Sequence, residues 1–110
     1  MSRELKLCLA DVRGASARLS EINGRCKAVI RARRVANAQT DRKWGEERGP
    51  RRFRRGYQRS LDSAITQMEQ ITDDVDEMIG RVLQAADRLE DTIRDEAMKL
   101  SQVSQEGGLR

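Results

Sequence analysis

Carboxylates crowd one short stretch of this 110-residue chain, where Asp73, Asp74, Asp76 and Glu77 fall within five residues. Such a group can hold a hard cation or share a proton in general acid–base work. No loop with calcium-ligand spacing surrounds it, and on a helix these side chains mostly point outward, so the reading is a solvated acidic face. Glu90-Asp91 and Asp95-Glu96 read the same way. The chain has no histidine, which removes the commonest general base and the commonest metal ligand together. No Ser/His or Cys/His pair, phosphate-cradling glycine loop or zinc spacing is present. The sequence therefore offers no catalytic, metal-binding or cofactor-binding residue, and a non-enzymatic protein without a small-molecule substrate is expected.

A second cluster is basic. Arg51, Arg52, Arg54, Arg55 and Arg59 interleave with Phe53 and Tyr57. Arginine forks suit carboxylates or phosphates, and the two aromatics could stack on bases. The alternative is a solvated tip, or one that pairs with the acidic helix of a neighbouring copy. Charge is laid out unevenly along the chain. Residues 1–30 are net +3, residues 31–59 net +8 and residues 60–110 net −7, giving +4 in all. An acidic face on so small a body repels a long duplex, so a protein target ranks ahead of nucleic acid, and any nucleic-acid contact is confined to the tip.

Cys8 and Cys26 lie on one stretch that reads as helix. At about 1.5 Å per residue they are roughly 27 Å apart, beyond disulfide reach. Both fall on apolar columns, which predicts buried, reduced thiols and fits a reducing, cytoplasmic setting. No apolar run near Met1 matches a signal peptide, and no stretch is long and apolar enough to span a membrane.

The elements that carry these residues follow from a seven-residue spacing. Between Leu61 and Val103 three columns appear. The first runs Leu61, Met68, Val75, Val82, Leu89, Glu96, Val103; the second Ala64, Ile71, Met78, Ala85, Thr92; the third Ile65, Thr72, Ile79, Ala86, Ile93, Leu100. Charged residues fill the spaces between, so the stretch is a long amphipathic helix. The same columns occur near the start. Leu5, Val12, Leu19 and Cys26 form the first, Cys8, Ala15, Ile22, Val29 and Ala36 the second, and Leu9, Ser16, Asn23 and Ile30 the third. Ser16 and Asn23 could fix register as buried polar groups do in coiled coils, but the preferred reading places them at the stripe's edge.

The fold class predicted is all-α: an antiparallel hairpin of two long amphipathic helices in one domain spanning 1–110. Helix 1 covers about 3–40, an Arg-rich turn about 41–56, helix 2 about 57–105 and a frayed tail 106–110. A tighter reading carries the helices over about 3–44 and 50–105, with Gly45 just past the first and Gly49-Pro50 turning into the second. Each stripe is three columns wide, whereas a two-stranded seam needs two. The third implies more than one neighbouring helix, and hence a four-helix bundle or longer coiled coil. Its partner is a second copy or another helical protein. The partner-binding stripe consists of Leu61, Ile65, Met68, Ile71, Val75, Met78, Ile79, Val82, Leu89 and Ile93.

Trp44-Gly45 stands between the two predicted helices of a chain of about a hundred residues. In this the sequence resembles the WXG family of type VII (ESX) secretion proteins and their toxin-escort partners, which are helical hairpins joined at a Trp-x-Gly turn. Here Gly45 follows Trp44 directly, and no C-terminal Tyr-x-x-x-Asp/Glu signal is present, since the only tyrosine is Tyr57. The resemblance implies dimeric pairing, export without a cleaved signal peptide, and a turn or recognition role for Trp44 and Gly45. The leading expectation is thus an adaptor or chaperone-like interaction subunit. A small nucleic-acid-associated protein using the Arg-rich tip and a structural coiled-coil subunit of a larger assembly are the alternatives.

Overall fold

The computed structural model describes the backbone of residues 3–46 and 51–108, and the side chains of residues 3–40, 42 and 53–105. All of the described backbone is helical. Helix α1 covers Arg3–Glu46 and helix α2 covers Arg51–Gly108. Arg, Ala and Leu are abundant in both, and no described glycine has positive φ. Glu4 sits in the first turn of α1, where an anion suits the helix dipole. The ends differ from the sequence expectation. Gly45 lies inside α1, and the Arg-rich stretch from Arg51 is the start of α2, so the described part of 41–56 is helix. The expected Gly49-Pro50 turn lies outside the described residues.

The chain clusters into two compact units. One joins Met1–Leu19 to Met78–Arg110, and the other is Ser20–Glu77.

Each unit is an antiparallel helix pair, and each is seamed along the third column of the sequence pattern. In the Ser20–Glu77 unit the buried residues are Asn23, Ile30 and Asn37 on α1 and Gln58, Ile65 and Thr72 on α2. The Asn23 amide donates to the Thr72 carbonyl at 2.8 Å. One heptad on from that bond, Ile30 falls level with Ile65, and one further, Asn37 falls level with Gln58. In the unit formed by the two chain ends, Leu9 and Ser16 on α1 and Ile79 and Ala86 on α2 are buried.

Polar residues therefore occupy the seam itself. The edge position preferred from sequence for Ser16 and Asn23 is overturned, because both are buried. Asn23 repays its burial by donating also to Asp76 Oδ1 at 2.7 Å, and Asn37 donates to Asp62 Oδ1 at 2.7 Å. The bonds at Asn23 pin the register, since a slip would strand a buried amide. Toward the start of α2 the seam is less well satisfied. Among the described residues, Asn37 Oδ1 and both amide atoms of Gln58 are buried without a hydrogen-bond partner. A buried polar group left without a partner costs about 1–3 kcal/mol.

Candidate protein interface

One flank of each seam is charged and paired. Arg13 reaches Asp87 at 2.9 Å and also Glu90; Lys27 reaches Asp73 at 3.4 Å and also Asp76. Arg34 donates through Nε to Glu69 at 3.1 Å and through Nη2 to Thr66 Oγ1 at 3.1 Å. Each basic side chain thus takes two α2 positions three residues apart, which share a helix face. Asp73 and Asp76 are accordingly the receiving half of a cross-helix pair, while Asp74 accepts from Gln70 of its own helix. Among the described residues, no group of three or more carboxylates or cysteines could hold a metal ion.

These pairs set the local electrostatics. Lys27, then Asn23, hold the Asp76 carboxyl below the ordinary carboxylate value, while Asp76, then Asp73, raise the Lys27 ammonium. The hydrogen bonds that Arg13 donates to Glu90 and then to Asp87 raise its guanidinium in the same way. A lowered folded-state carboxyl contributes stability that is present above the unfolded value and is lost as pH falls through the folded value. Lys27 contributes below its unfolded value and loses that contribution as pH rises through its folded value. Urea midpoints should therefore fall as pH drops below the ordinary carboxyl value of 3.8. They should fall less in Asp76→Asn than in the wild type. Because Asp76 is 44% exposed, high salt should shrink that difference. An identical acid limb in both proteins would remove Asp76 from the account.

The opposite flank is apolar and open. It carries the first and second columns of both helices. In the Ser20–Glu77 unit, Ile22, Cys26, Val29, Met68 and Ile71 line a groove of about 550 Å³ between the helices. Val29 is 67% exposed and Ile71 60%. In the other unit, Leu5, Cys8, Val12, Val82, Ala85 and Leu89 line a groove of about 250 Å³, and Met78 nearby is 54% exposed. The expectation of buried thiols is corrected here. Cys8 and Cys26 are free and exposed, because the columns they occupy face away from the seam.

The predicted stripe residues accordingly divide. Ile65 and Ile79 are buried in the seams and serve the hairpin itself, so they are not available to a partner. Leu61, Val75 and Ile93 are half-buried. Met68, Ile71, Met78, Val82 and Leu89 are exposed on the open face. Sequence reasoning missed Arg13, Lys27, Arg34 and Asn37 as cross-helix anchors. The signal was present in the seven-residue step from Ser16 through Asn23 and Ile30 to Asn37, which continues the third column one place further.

At the start of α2, Phe53 stacks on Tyr57 with ring centroids 6.3 Å apart. Phe53 is 69% exposed, and Arg55 and Arg59 are exposed on the same turns of α2, whereas Arg54 is half-buried. The side chains of Trp44, Arg51 and Arg52 lie outside the described residues. Among the described residues, no helix is long and apolar enough to cross a membrane. Comparison with known proteins finds no matching family model, no matching curated relative and no matching solved structure.

Proposed function

We propose that this chain is a non-enzymatic interaction subunit, a helical hairpin that completes its core by docking its open apolar face on another helical surface. The observation that supports this is the asymmetry of each seam: ion pairs close one flank and leave large apolar side chains exposed along the other. A contiguous apolar face on a small body marks a binding surface more often than a solvent surface. The setting we propose is type VII secretion, on the strength of Trp44-Gly45 between two long helices; Gly45 then belongs to the last turn of α1. The test is capture from native extract with the wild-type chain and with Ile71→Asp as baits. A helical protein retained by the first and lost by the second supports the reading, and equal capture by both removes it.

The Phe53–Tyr57 stack, with Arg55 and Arg59 exposed on the same turns, favours a second reading, a local grip on single-stranded nucleic acid. On that reading a labelled oligonucleotide binds near physiological salt. Its log affinity falls with log salt at roughly 0.7–0.9 per phosphate contact. Binding is lost in the Arg54→Gln, Arg55→Gln, Arg59→Gln triple variant. If no binding is measurable in dilute salt, the second reading is dismissed.

A further inference from the structure

We infer that the tip end of the open face is a single-stranded nucleic-acid site built across both helices, with a base on the Tyr57–Phe53 pair and its phosphate on Arg33 of α1. This rests on the second reading above and names the residues that make the grip. The chemistry of the face changes toward the tip. On α1 the first column, apolar at Leu19 and Cys26, continues at seven-residue steps as Arg33 and Thr40. On α2 the second column steps back from Ile71 through Ala64 to Tyr57. Within the Ser20–Glu77 unit these residues meet: Arg33, Thr40, Tyr57 and Leu61 line one groove of about 320 Å³. Arg33 and Tyr57 are both exposed. The tip groove thus presents a cation and a flat ring, where the groove at Ile22, Val29 and Met68 presents aliphatic side chains. An unstacked nucleotide carries the complement of both, an anion and a π-face.

The columns also sort the arginines. Arg55 stands seven residues before Asp62 and fourteen before Glu69, and Arg59 seven before Thr66 and fourteen before Asp73. All four of those are reached from α1 on the paired flank. Arg55 and Arg59 therefore share the side of α2 turned away from the open face. Arg33 and Arg54 stand on the open side, each in the first column of its own helix, Arg54 seven residues before Leu61. Phe53 lies four residues before Tyr57, and their rings are within 10° of parallel, so the two extend one platform. A base laid on that platform carries its phosphate to Arg33, because Tyr57 and Arg33 face the same groove. An acidic peptide pairs with the arginines but leaves the platform unused. A duplex keeps its bases stacked on one another, and its length meets residues 60–110, which are net −7.

The test is binding of a labelled single-stranded oligothymidylate near physiological salt, read by fluorescence anisotropy. Tyr57→Leu should bind at least about fivefold more weakly, since a stacked base is lost. Tyr57→Phe keeps the ring and should bind as the wild type does. Arg33→Gln should lower the slope of log affinity against log salt by about 0.7, the share of one phosphate on a single strand. Arg33→Lys should restore it. Arg55→Gln combined with Arg59→Gln should leave affinity within about twofold, because screening weakens charges on the far flank. Urea midpoints check that each variant folds. If the Arg55, Arg59 pair loses binding while Arg33→Gln and Tyr57→Leu keep it, the site is overturned and the nucleic-acid reading survives on the other flank. Displacement of the strand by poly-glutamate at equal charge makes the ligand an acidic protein surface and overturns the inference. A wild type that does not bind removes the site and the second reading together.

Discussion

Ile65→Asp is expected to abolish the cooperative fold of the Ser20–Glu77 unit. Ile65 is 1% exposed and, among the described residues, is the large side chain most completely buried. It falls level with Ile30 in the seam, between the polar layers at Asn23 and Asn37. A carboxylate there would lose its hydration without a basic partner, since Lys27 and Arg34 already hold acids on the outer flank. The cost should exceed about 3 kcal/mol, a large part of what a small domain has to spare. Ile65→Ala removes only apolar contact and should cost about 2–5 kcal/mol, toward the lower end where neighbouring side chains can collapse inward. Far-ultraviolet circular dichroism with urea titration reads both. A wild-type midpoint in Ile65→Asp would mean that the third column is not the seam.

Ile71→Asp, six residues further along the same helix, is expected to act in the opposite way. Ile71 is 60% exposed on the open face and lines the groove with Ile22 and Met68. In the free chain the carboxylate stays in water, so stability in dilute solution should change by less than about 0.5 kcal/mol. In an assembly the same group is buried against apolar side chains, and association should weaken roughly a hundredfold or more. The wild-type urea midpoint should rise with protein concentration, because a partner that binds only the folded chain adds stability by mass action. The variant's midpoint should not. A concentration-independent wild type would count against self-association, and unfolding of Ile71→Asp in dilute solution would put the open face inside the hairpin. The contrast between the two substitutions separates the residues that make the hairpin from those that present it.

Much of this architecture is determined by the sequence itself. Seven-residue spacing from Leu5 and again from Leu61, with charges between and few breakers, dictates two long amphipathic helices, because 3.6 residues per turn brings such positions onto one face. Their stripe width likewise calls for more than one neighbour. Periodicity groups residues into columns but cannot say which of three adjacent columns meets the hairpin's own mate. By apolar content the first two columns are the natural seam, and they are the ones left open. The tertiary structure decides for the third because only there do cross-helix partners satisfy the polar groups. Asn23 finds the Thr72 carbonyl and Asp76, Asn37 finds Asp62, and Lys27 and Arg34 close the flank. Those partners lie 25 to 53 residues away along the chain, a separation that no local pattern encodes. Cys8 and Cys26 read as core residues for the same reason and prove exposed, since burial depends on which way the helix is turned.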